Sequence, residues 1–158
     1  MKNPFLILVS VVLLATALHA PAEELDVFAD QAFRPALQEI IPLFTKQTGF
    51  KVQLSLGLSA ILAERIRSRP AADLFFPASD EIMRQMVEKG LVDVALKRNI
   101  LILPASGPAE EGVILEPQYI SAAVMTQAAH RLQAMAFLEF LTSEAARAEF
   151  ARQGFALP

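Results

Sequence analysis

"LDVFADQAFRPALQEIIPLFTKQTGFKVQLSL", residues 25–56, changes its hydrophobic period twice. Leu25 to Ala29 alternates, the period of a strand with one buried face. From Arg34 to Thr48 the apolar residues Leu37, Ile40, Ile41 and Phe44 recur at helical spacing, and Gly49 suits the left-handed end of a helix. Lys51 to Leu56 returns to alternation. Strand, helix and strand in that order form a crossover unit.

Toward the C-terminus the pattern repeats. Gly57-Leu58 turns the chain, and Ser59 is placed to N-cap a helix to about Ser68, with Leu58, Ile61, Leu62 and Ile66 on one face. Asp73 to Phe76 reads as a short buried strand. Ser79 caps the next helix, and Asp80 and Glu81 sit in its first turn, where negative charge suits the dipole. Ile82, Met83, Met86 and Val87 form its buried stripe, and Gly90 stops it. The methionines therefore read as packing. Ile100 to Leu103 reads as a fourth strand. A stretch rich in turn residues follows, with Pro104, Gly107, Pro108 and Gly112, before a strand over Tyr119 to Met125. One helix is expected from about Ala128 to Leu141, with Ala134, Phe137, Leu138 and Leu141 inward. Another is capped by Ser143 and ends at Gly154. This order predicts an α/β fold: a three-layer single lobe, a mostly parallel sheet with helices on both faces.

Toward the N-terminus, Lys2 precedes an apolar run from Phe5 to Leu18, and Ala20-Pro21-Ala22 is a small-x-small cleavage site. Residues 1–22 therefore read as a signal peptide cleaved near Ala22, leaving 23–158 as one α/β lobe, periplasmic or secreted. The run is short against the roughly 20 apolar residues of a membrane span.

Charge and cysteine content narrow the function. Lys and Arg total 14 against 17 Asp and Glu, a net charge of −3 with no basic run, so no nucleic-acid partner is expected. With no cysteine, and only His130 after the signal segment, neither a disulfide framework nor a zinc site is expected. No cofactor is expected. The chain holds no G-x-S-x-G, G-x-G-x-x-G or G-x-x-x-x-G-K-S/T motif, so no enzyme is expected. His130 reads as a solvated residue of a C-terminal helix.

Ligands of parallel α/β sheets sit beyond the carboxyl ends of the strands. Three loops qualify: Ala29 to Phe33, Gly57 to Ala60, and Pro77 to Asp80. Free N–H groups at helix starts can hold an oxyanion there without Arg or Lys. The Ser59 hydroxyl is a candidate further donor, with a plain N-cap as its other reading.

These pieces, in this order, carry a resemblance. Leu25-Asp26-Val27-Phe28-Ala29, Phe44-Thr45-Lys46-Gln47-Thr48-Gly49, Ser55 to Ile66, Ala72 to Asp80 and Val87 to Val92 resemble the N-terminal lobe of the periplasmic molybdate/tungstate-binding proteins of ABC importers. Ala136 to Ala145 and Gly154-Phe155-Ala156-Leu157-Pro158 resemble the end of the same family. The resemblance implies a type II periplasmic binding protein that closes two lobes on a tetrahedral oxyanion held by neutral donors. It implies molybdate or tungstate as ligand and an inner-membrane ABC permease as partner. The family's first serine falls at Ala32 and its second at Ser59, and a late tyrosine aligns with Tyr119. Gln31 and Ala60 complete the two binding loops.

The departures are Ala32, which removes a hydroxyl, and Asp30, which stands where the family has a small neutral residue. The second lobe is expected to be missing at about 104–116. Weakened oxyanion binding and self-association through the exposed cleft face are expected from that. The rival readings are a ligand-incompetent interaction module, a degraded remnant, and a hydrolase with a serine nucleophile.

Overall fold

In the computed structural model, which describes residues 24–103 and 117–158, the elements follow the expected order. They are β1 (Glu24–Asp30), a 3-10 turn (Gln31–Phe33), α1 (Arg34–Thr48), β2 (Lys51–Gly57), α2 (Ser59–Ser68), β3 (Leu74–Phe76), α3 (Asp80–Glu88), β4 (Val92–Leu103), β5 (Gln118–Met125), α4 (Arg131–Leu141) and α5 (Glu144–Arg152). The signal segment and the expected splice at 104–116 lie outside the described residues.

One sheet runs in the order β2-β1-β3-β5-β4. β1 pairs in parallel with β2 and β3, while β5 pairs antiparallel with β3 and β4. β5 alone is reversed, so β4 runs the same way as the first three. The sheet is mostly parallel by strand direction, yet half of its strand pairs are antiparallel. The parallel part is the crossover part: β1 passes through α1 to β2, and β2 through α2 to β3.

Alternation along each central strand feeds two cores. Leu25, Val27 and Ala29 of β1, Leu74 and Phe76 of β3, and Ile120, Ala122 and Val124 of β5 face one way, toward buried residues of α1, α4 and α5. Phe28, Phe75, Ala123 and Met125 face the other way, toward Leu62 and Ile66 of α2 and Met83 and Met86 of α3. Two filled faces make three layers. The first core is rich in phenylalanine: the Phe44 ring meets Phe137 at 4.9 Å, edge to face. Phe33 stacks on Phe76 at 4.2 Å and meets the edge of Phe155 at 5.6 Å. That anchor fixes the 3-10 turn after β1, where one candidate binding loop lies.

Several boundaries differ from those the sequence pattern predicts. β4 begins at Val92 rather than Ile100, because its first half is a half-exposed edge carrying Asp93, Lys97, Arg98 and Asn99. Register shifts between Val92 and Lys97, and between Asn99 and Leu101, break its alternation. α4 starts at Arg131, so His130 precedes it. Ser79 and Ser143 cap their helices as expected, accepting from the N–H groups of Ile82 and Ala146 at 3.3 Å. Gly49 ends α1 at φ 78°. Ser59 does not cap α2: Leu58 holds the cap position, and Ser59 is the first helical residue.

Candidate functional site

β1 and β2 end side by side, with Asp30 opposite Gly57 in the parallel register. The loops after β1, β2 and β3 therefore open at one end of the sheet, and a single hydrogen-bond chain ties them together. The backbone N–H of Ala78, after β3, donates to the Ser59 hydroxyl oxygen at 2.9 Å. That hydroxyl donates in turn to Asp30 Oδ2. The Ser59 N–H donates to the same oxygen at 2.9 Å, and the Ala32 N–H donates to Asp30 Oδ1 at 3.0 Å. Asp30 is 8% exposed and Ser59 7%.

Each of these donors follows from local structure. Leu58 takes the extended conformation of a cap residue but has no side-chain acceptor, so the first N–H of α2 is left open. Asp30 supplies the missing acceptor from another strand. The start of α2 also carries roughly half a positive charge, which favours a carboxylate there. The Ala32 N–H reaches back two residues in an Asx turn. Hydrogen bonds to a charged acceptor contribute about 1.5–3 kcal/mol each. Among the described residues no Lys or Arg pairs with Asp30; its recorded partners are neutral donors.

Of the residues expected at the site, Asp30, Ala32 and Ser59 come together, with Ala32 contributing its N–H while its side chain faces solvent. Gln31 and Ala60 are neighbours in the two loops, and both are exposed. Tyr119 lies on β5 opposite Ile102, 38% exposed. Among the described residues it makes no hydrogen bond to Asp30 or Ser59. Ala78 was named only as part of the loop Pro77 to Asp80, because a single backbone N–H leaves no mark in residue type. A shallow polar groove of about 440 Å³ adjoins it, lined by Ala78, Ser79, Arg84, Leu103 and Gln118 among others. A second groove, about 460 Å³, lies along α2 between Phe28, Ile61 and Arg65, and neither Asp30 nor Ser59 lines it.

The other end of the sheet carries a second polar cluster. Asp73, 2% exposed, accepts from the Asp26 N–H and the His130 N–H, both at 2.9 Å. His130 Nδ1 lies 2.8 Å from Asp73 Oδ2. His130 is thus partly buried and paired, which corrects the solvated reading. Burial, then the neighbouring Asp73 charge and, more weakly, Glu24, raise the Asp26 carboxyl above its usual range, with His130 opposing. Asp26 and Asp30 are four residues apart on β1, or roughly 13 Å at a strand's rise. The Asp73–His130 pair and the Asp30–Ser59 pair thus lie toward opposite ends of β1, and the Ser59 hydroxyl donates to Asp30. Among the described residues, no group of three or more His, Cys, Asp or Glu is placed to hold a metal. No described helix is long and apolar enough to cross a membrane.

A family model described as bacterial extracellular solute-binding protein matches residues 25–110 and 95–156. The chain belongs to this family. The molybdate-binding protein ModA of Escherichia coli is 35% identical over 89 residues, covering 55% of this chain and 35% of that protein. The chain thus spans about a third of the length of that curated relative. Among solved structures, the periplasmic molybdate-binding protein of Azotobacter vinelandii matches with a TM-score of 0.73 at 14% identity, over 85% of this chain and 99% of that one. The sulfate-binding protein SubI of Mycobacterium tuberculosis matches with a TM-score of 0.63 at 15% identity, over 84% of this chain and 86% of that one. At those identities they share the fold. The α/β sheet described above is that of a type II periplasmic binding protein, and the family's members are solute-binding proteins rather than enzymes.

Proposed function

We propose that this solute-binding protein is the oxyanion-binding lobe of an extracytoplasmic component serving an inner-membrane ABC importer, with molybdate or tungstate as its kind of ligand. The observation that carries the reading is the convergence of the Ala32 N–H, the Ser59 N–H and the Ser59 hydroxyl on one buried point at the carboxyl ends of β1 and β2. That is a cradle for a negatively charged oxygen, built from neutral donors. The likeness to ModA supports molybdate as the ligand, and the signal-like segment at 1–22 supports export.

Affinity is low on this reading, for two reasons. In a two-lobed receptor the second lobe supplies further donors, and losing two or three charge-assisted bonds weakens binding by about 10² to 10⁶. A splice at about 104–116 accounts for that loss, and the division of the family match into two stretches that overlap at 95–110 supports it. The Asp30 carboxylate is the second reason. Two unit charges about 4 Å apart near a protein surface repel by about 4 kcal/mol, more than one donor returns. An incoming oxyanion therefore has to displace Asp30.

Calorimetric titration of the purified chain with molybdate, tungstate and sulfate tests this. The expected result is weak binding, with dissociation constants near millimolar or above, and Ser59→Ala weaker still. A micromolar or tighter constant would contradict the weakening. No heat from any of the three at tens of millimolar would remove retained oxyanion binding.

A further inference from the structure

The cradle already has an occupant. We propose that Asp30 is the specificity-determining residue of this site: its carboxylate stands in for the ligand's oxygens, and the cradle binds a small external oxyanion well only when that carboxylate is taken away. The tetrahedral-anion part rests on the functional reading above, whereas the self-occupancy rests on the hydrogen bonds alone.

Three observations support it. First, a local cap explains the bond from Ala32, two residues on, but not the two bonds from Ser59, 29 residues away on another element. Second, Asp30 is 8% exposed, and the partners recorded for it among the described residues are two N–H groups and a hydroxyl, with no Lys or Arg. A buried structural carboxylate is ordinarily paired with a cation. A helix start and oriented backbone N–H groups can hold an anion without a counter-ion. Third, the Ser59 hydroxyl accepts from the Ala78 N–H at 2.9 Å, which turns its proton toward the carboxylate. The donor is pre-aimed from a third loop whether the oxygen it meets belongs to Asp30 or to a ligand. Removing the Asp30 side chain back to Cβ deletes three atoms of the same shape and charge as formate and leaves those donors in place.

The test compares the purified chain with Asp30→Ala, Asp30→Asn and the double variant Asp30→Ala/Ser59→Ala. Thermal unfolding is followed against sodium formate, sulfate and molybdate, with chloride at matched ionic strength as the control. Asp30→Ala should melt below the parent and recover in a saturable way with formate and with the tetrahedral anions, binding them at least tenfold more tightly than the parent does. The double variant should lose most of that recovery. Asp30→Asn keeps the shape while placing an amide against the donors, so it should melt lower and gain no anion site. It remains informative if Asp30→Ala does not fold.

An Asp30→Ala chain that responds to anions no more than the parent overturns the proposal. So does an undiminished response in the double variant, or an Asp30→Asn chain as stable as the parent. Rescue by formate without sulfate or molybdate supports self-occupancy and sinks the oxyanion-receptor reading. Molybdate binding by the parent that Asp30→Ala does not improve overturns self-occupancy and leaves the receptor reading standing.

Discussion

Asp30 joins two roles at one position, ending β1 through an Asx turn to Ala32 and capping α2 from a strand away. Its contrast is Asp26, on the same strand at the other end of the sheet. Asp30 is surrounded by donors, whereas Asp26 lies beside a second carboxylate, Asp73, in a part-buried setting that raises its pKa from 3.8. A carboxyl raised in the folded state binds its proton more tightly folded than unfolded. Stability is therefore greatest below its ordinary value and falls as pH rises through the raised one. Asp26→Asn should melt close to the parent at pH 3 and above it at pH 7, by a few degrees at most. Melting curves at the two pH values check this, and a gain confined to the acid side would contradict it.

Which of these residues could be read in advance follows from how far their chemistry reaches. Ser59 was legible because a serine opening a helical pattern is an uncommitted donor at a known position. Its true role was not, because the cap it seemed to supply comes from Asp30, 29 residues earlier. Asp30 could be flagged as a charge in the wrong place, but not as the acceptor of three bonds. His130 looked unpartnered in sequence because its partner, Asp73, is 57 residues away.

Among the elements, α2 shows how a helix start can depend on another strand. Leu58 has cap geometry, φ −67° and ψ 135°, without a cap side chain, and it is 57% exposed. Asp30 satisfies the first N–H of the helix and leaves the next two open to a local acceptor. Leu58→Ser supplies one at little packing cost, so it should stabilise the chain by about 0.5–1 kcal/mol. The midpoint of urea unfolding reads this, and an unchanged or lower midpoint would show that the start of α2 needs no further acceptor. The helices were the legible elements: α1 and α2 fall where their periodicity and Gly49 put them, although Leu58 and Ile61, expected on one face with Leu62 and Ile66, are 57% and 59% exposed, and α2 buries Ser59, Leu62, Ala63 and Ile66 instead. The first half of β4 was not legible. An edge strand with two register shifts satisfies its backbone on one side only and imposes no regular alternation on its side chains.

At the scale of the whole molecule, the described residues form one three-layer lobe with a five-stranded sheet and two filled cores. Both ends of the segment 104–116 attach to neighbouring antiparallel strands, β4 and β5, whose residues Leu103 and Gln118 are paired. Joining them by a short connection costs the lobe none of its core. On the proposed reading, it removes the opposing wall of a cleft, and with it the means to close over a ligand. The lobe then keeps the cradle and holds it shut with its own carboxylate.

That claim is tested most directly by following the backbone amide resonances of Ala32, Ser59 and Ala78 during molybdate titrations of the parent and of Asp30→Ala. The expected result is that the three amides stay nearly still in the parent below millimolar molybdate and move together, saturably, in Asp30→Ala. Saturable movement in the parent at micromolar molybdate, or still amides in a folded Asp30→Ala chain, would contradict it.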